Sequence, residues 1–145
     1  MYAYTDAGLR NVWLLNGYQK KKTPYGQAVS IQNLEGLTQA ICTALCKKPS
    51  KLLGSEFRYL RNGLMLSQAS LGQLMGVSSQ AIAIWEKSSR IPKMADLLIR
   101  VVYMAHTNGD ESVKNMVTTL NDSERFTLTL KETSKGWQAT LSSNA

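Results

Sequence analysis

The period of the apolar positions changes along this chain, and the changes mark three segments. In the first, residues 11–18 are rich in β-branched and aromatic types, and residues 27–31 alternate polar with apolar as a strand does. Residues 19–26 lie between them with three lysines, Pro24 and Gly26, which predicts a basic loop closing an antiparallel hairpin. Leu34, Leu37, Ile41 and Leu45 then recur on one helical face. That helix is expected to stop near Lys47-Lys48-Pro49, where lysines suit a C-terminus and proline cannot continue it.

The second segment, residues 52–105, reads as four or five short helices. Phe57, Leu60 and Leu64 mark the buried face of the first. Ser67 is a natural N-cap for a second over residues 68–75, and Gly76 supplies the tight turn at its end. Ser78 or Ser79 caps a third that puts Ile82 and Trp85 on one face. After Ile91-Pro92 a fourth is expected to carry Met94, Leu98, Val101 and Ala105 inward. In the third segment Val113, Met116, Val117 and Leu120 have helical spacing over residues 111–120. Residues 126–130 and 137–141 alternate apolar with polar about a Thr133-Ser134-Lys135-Gly136 turn. A two-stranded hairpin is marginal alone, so it is expected to pack on another element or on a second copy of the chain.

The 145 residues, 43% hydrophobic and 19% charged, suffice for one ordinary domain or two small ones with a core. No apolar run approaches the roughly 18 residues that cross a bilayer, and the N-terminus lacks the basic and apolar blocks of a signal peptide. Two cysteines are too few for a disulfide framework, so a cytoplasmic protein without a membrane partner is expected. The net charge of +7 is unevenly placed: residues 1–50 and 51–105 each carry +4, and residues 106–145 carry −1. The first two thirds are therefore suited to a polyanionic partner.

Within the second segment the residues fit a helix-turn-helix. Gly72 sits where two helices would cross closely, Gly76 makes the turn, and Ile82 closes the core six residues later. The outward positions of the second helix are then Ser78, Ser79, Gln80, Ala83, Ile84 and Lys87. They carry no carboxylate, which suits insertion into a major groove.

Leu60-Arg61, Leu64, Ser67-Gln68, Leu71, Gly76-Val77, Ile82, Trp85-Glu86 and Pro92 together resemble the Xre/Cro-type helix-turn-helix family. Gly72 replaces the usual alanine, which would loosen the first helix of the pair, and Ser88 replaces the usual glycine of the following loop. The resemblance implies that Gln68 bonds a phosphate and braces a glutamine of the reading helix. It makes Gln80 the best base reader, through bidentate pairing with adenine, and Ser79 a single hydrogen-bond donor. Ile84 would touch only an apolar edge such as a thymine methyl. Lys87 and Arg90 suit backbone phosphates, with Ser67, Lys93 and Arg61 as further candidates, and Ser78 completes the expected DNA-binding set.

A second resemblance covers most of residues 2–105. Tyr2, Tyr4, Gly8-Leu9, Asn11-Val12, Tyr25-Gly26 and Glu56-x-Arg58-x-Leu60-Arg61 look like the MqsA/YgiT-type antitoxin regulators. This chain lacks the paired C-x-x-C zinc ligands of many members, so no metal or other cofactor is expected. A toxin protein remains a possible partner. The resemblance also implies dimerisation through the C-terminal half. Val113, Met116, Val117 and Leu120, with Phe126 and Leu128 of the hairpin, are the expected interface.

The other candidates have plainer explanations. Trp85 is expected to pack rather than to stack on a base. Lys20, Lys21 and Lys22 suit either phosphate or solvent and are assigned no site. Cys42 and Cys46 share a helical face but lack two further zinc ligands, since His106 lies in another segment. No phosphate-binding, zinc-protease or dinucleotide motif occurs, so no enzyme is expected.

The expected fold is mainly α (α+β), with a lambda-repressor-like helix-turn-helix. Residues 1–50 are expected to form a small α+β module, 51–106 the DNA-binding domain, and 107–145 a dimerising helix and hairpin. Binding of double-stranded DNA as a homodimeric repressor is the expected function. An autoregulating antitoxin, or an adaptor that has lost DNA binding, are the alternatives.

Overall fold

The computed structural model describes residues 1–109, 115 and 126–143, and it combines five helices with three two-stranded antiparallel sheets. The expected helix over residues 111–120 lies outside the described residues. The N-terminal sheets are β1 (Tyr2–Ala3) with β2 (Trp13–Leu14), and β3 (Tyr18–Thr23) with β4 (Gly26–Ile31). This corrects the predicted pairing. The lysines are not a loop: Lys20 faces Val29, Lys21 faces Ala28 and Lys22 faces Gln27, in register along β3. The turn is only Pro24-Tyr25, where proline presets φ at the second turn position and Thr23 Oγ1 bonds the Gly26 carbonyl at 2.6 Å. Lysine is a poor strand former, but a closed six-pair ladder outweighs that preference.

Helix α1 (Leu34–Cys46) begins at Asn33, whose side chain accepts from Gly36 N–H, and it ends at Lys47. Cys42 is its buried residue, while Leu34 is largely exposed. Helices α2 (Gly54–Gly63), α3 (Gln68–Met75), α4 (Ser79–Glu86) and α5 (Lys93–Thr107) follow. One core joins Cys42 of α1 to Phe57 and Leu60 of α2, Leu71 of α3, Ile82 of α4, and Ile99 and Val102 of α5. The apolar packing thus runs without interruption across residue 50. Trp85 packs as expected, its ring edge-on to Phe57 at 6.1 Å and 86°.

Helix α5 corrects a second expectation. Its buried residues are Ala95, Asp96, Ile99, Val102, Tyr103 and Ala105, whereas Met94 is 71% and Val101 42% exposed. The helix carries two overlapping apolar stripes, and an ionic anchor selects one. Asp96 accepts from the Leu52 N–H at 2.9 Å and pairs with Arg100, whose guanidinium also donates to the carbonyls of Lys48 and Ser50. That clamp ties the connection between α1 and α2 to α5 and turns Ile99 and Val102 into the core.

The terminal hairpin forms where expected and is longer, with β5 (Phe126–Thr133) paired to β6 (Gly136–Ser143). Leu128 stands opposite Leu141 and Leu130 opposite Ala139, so strand alternation gathers the apolar side chains on one face. Leu128, Leu130, Trp137 and Leu141 on that face are all exposed.

Candidate nucleic-acid interface

Local signals set the ends of α3 and α4. Ser67 caps α3 by accepting from Ser70 N–H at 2.9 Å, and Ser78 caps α4 by accepting from Ala81 N–H at 3.1 Å. Gly76 ends α3 in the left-handed region at φ 73°, which glycine adopts without a Cβ penalty. Gly72 lets the helices close: a Cβ there would lie 2.6 Å from the Val77 carbonyl oxygen. The absent Cβ is what permits this approach, so the exchange of alanine for glycine fits the packing rather than loosening it.

The pair is locked to α2 by one carboxylate. Glu86, at the end of α4, accepts a bidentate contact from Arg61 at 2.6 and 3.0 Å, and Gln68 Nε2 donates to it at 3.1 Å. Arg61 also donates to the Leu66 carbonyl at 2.9 Å. Charge-assisted, two-pronged contacts of this kind hold geometry as well as energy. Arg61 is thereby corrected as a phosphate candidate: it is buried and its guanidinium is committed to the interior. Gln68 braces the assembly through Glu86, not through the reading-helix glutamine.

The same inward turn of Glu86 shapes the outer face. Ser78, Ser79, Gln80 and Lys87 are exposed, Ala83 is half-buried, and Ile84 is 67% exposed. Arg90 and Lys93 are exposed beyond the end of α4, and no acidic residue lies in the first turn of either helix. The Ser88 hydroxyl accepts from the Arg90 N–H at 2.9 Å and donates to its carbonyl at 2.7 Å, a local turn that fixes the loop carrying Arg90. The arrangement presents a short helix with amide, hydroxyl and cationic groups outward and its one carboxylate hidden. Such a surface can approach a polyanion and offer hydrogen bonds to base edges.

Of the interface residues expected near the C-terminus, Val113, Met116, Val117 and Leu120 lie outside the described residues. Phe126 and Leu128 stand in β5. Sequence reasoning matched Glu86 to a motif without giving it a role, and it passed over Asp96 altogether. The signal for Asp96 was its spacing of four from Arg100 on one helix. Cys42 and Cys46 are free thiols; burial raises both, and pushes Cys46 from 9.0 to about 11.

Over 49 residues, 34% of this chain, the sequence is 41% identical to repressor protein C2 of Salmonella phage P22. The match spans 23% of that repressor's length. No protein-family model matches the chain, and no solved structure matches it.

Proposed function

We propose that this chain is a sequence-specific, double-stranded-DNA-binding transcriptional regulator, a non-catalytic repressor whose residues 51–106 form a lambda-repressor-like helix-turn-helix. The observation that carries this reading is the outer face of α4, where Ser79, Gln80 and Lys87 stand exposed while Glu86 is folded inward onto Arg61 and Gln68. The partial identity to a phage repressor supports it.

In this reading α4 enters the major groove. Gln80 reads a base edge, Ser79 donates one further hydrogen bond, and Ile84 meets a thymine methyl. Lys87, Arg90 and Lys93 contact phosphates, and so do the N-terminal N–H groups of α3 beside Ser67 and Gln68. Residues 1–50 form an accessory module, and residues 107–145 bring two copies together on a palindromic operator, since one such unit offers little surface.

The test is a fluorescence-anisotropy titration against the DNA upstream of the chain's own gene and a scrambled duplex, at several salt concentrations. Gln80→Ala is expected to cost about 1–3 kcal/mol and to relax preference at one base position. Lys87→Ala is expected to weaken both duplexes alike and to lower the salt slope by about 1. Equal loss of specific and non-specific binding in both variants would remove α4 from the reading role.

A further inference from the structure

The β3–β4 hairpin is a second stretch of one-signed charge, apart from the face just described. Residues 7–34 contain Arg10, Lys20, Lys21 and Lys22 and no carboxylate. All three lysines are exposed, and none forms an ion pair with a carboxylate among the described residues. Tyr25, in the turn, is fully exposed.

The hairpin meets β1 at its base: Tyr18 packs on Tyr2 with ring centroids 5.2 Å apart and the Lys20 ammonium sits over the Tyr2 ring, while a Gln32 N–H bond to the Gly17 carbonyl at 2.8 Å extends the ladder by one rung. Beyond that base the strands project with little packed against them, six residues each, or about 20 Å at the usual strand rise.

Its cross-section decides what it fits. Lys20 and Lys22 lie on the Tyr18 face, and strand alternation puts Lys21 on the other. The cross-strand partners Gln27, Ala28 and Val29 are small or slender, so the ribbon is thin with cations on both faces. A flat anionic surface such as a lipid headgroup layer would meet only one of those faces. A groove of double-stranded DNA has phosphates on two walls and admits a two-stranded ribbon.

We infer that the β3–β4 hairpin is a second DNA contact, a basic ribbon that straddles the phosphates of a groove flanking the site read by α4. The inference rests on the DNA-binding reading above. It makes the N-terminal module a source of affinity and footprint length, with base preference left to α4.

The experiment compares wild type, the triple variant Lys20→Gln/Lys21→Gln/Lys22→Gln, the charge-keeping triple Lys20→Arg/Lys21→Arg/Lys22→Arg, and Gln80→Ala. Each is titrated by anisotropy against the upstream and scrambled duplexes over a salt series, with anionic phosphatidylserine vesicles as a control. The glutamine triple should bind both duplexes more weakly and keep its preference between them. Its slope of log affinity on log salt should fall by about 2–3, at roughly 0.9 for each phosphate that the lysines no longer neutralise. The arginine triple should restore the slope. An unchanged slope in the glutamine triple, with Gln80→Ala still losing preference, overturns the ribbon and leaves the α4 reading standing. Wild type that binds neither duplex at low salt overturns both, and binding to vesicles but not to DNA does the same.

Discussion

Glu86 shows how one side chain fixes both the inside and the outside of a small interface. Its carboxylate joins α2, α3 and α4 through Arg61 and Gln68, and its burial leaves the outer face of α4 without negative charge. A carboxylate turned outward at that point would set a negative charge beside Lys87, on the face proposed to meet phosphate. The cysteines are a second residue-scale case, with the opposite role. Cys46 is raised to about 11 by burial first and by Cys42 second, against the pull of Arg100. The folded thiol therefore holds its proton more tightly than the unfolded one. Its contribution to stability is fully present below pH 9.0 and is lost as pH rises toward about 11. Denaturant titrations at neutral and alkaline pH should show stability falling through that window, and falling less in Cys46→Ala. Equal falls in the two proteins would mean that the thiol is not linked to folding.

At the scale of elements, close backbone approach limits which helices can meet. The first residue of α2, Gly54, donates its N–H to the Ser88 carbonyl at 3.0 Å, and a Cβ added there would run into the Trp85 and Ser88 carbonyl oxygens. These are backbone atoms that cannot rotate away. Gly54→Ala should therefore destabilise the protein by about 1–2 kcal/mol, because overpacking costs more than the roughly 1 kcal/mol of helix propensity gained. A lower urea midpoint at unchanged m would show it, while a raised midpoint would mean that α2 and α4 can separate at no cost. Element ends were largely legible in the sequence, because Ser67, Ser78 and Gly76 act on their own neighbours. The partner of β4 was not legible, since the sequence favours residues 11–18 as the strand and residues 19–26 as a loop, and only the closed ladder draws the lysines into β3.

For the whole molecule, the apolar face of the terminal hairpin is one feature left exposed among the described residues. Leu128, Leu130, Trp137 and Leu141 share it, and a two-stranded sheet has little stability of its own. With residues 107–145 proposed as the dimerising element, sedimentation equilibrium at tens of micromolar should report a dimer, and Leu128→Lys should shift it toward monomer. A wild-type monomer at that concentration, with and without DNA, would dismiss the dimer. Reading two half-sites about one helical turn apart requires such a pair, so affinity for a palindrome should fall together with dimerisation.

The candidate site was readable from sequence to the extent that its geometry is local. Caps, the turn glycine and the spacing of Ile82 and Trp85 place Ser79, Gln80 and Lys87 outward whatever surrounds them, because helical periodicity is a property of neighbouring residues. Tertiary structure alone decided where competing patterns settle. It sent Arg61 inward to Glu86, rotated α5 about the Asp96–Arg100 clamp, and drew the lysine run into a strand. The first two depend on partners many residues away, where a buried charge is costly enough to override the local preference, and the third on pairing with a strand five to nine residues further on.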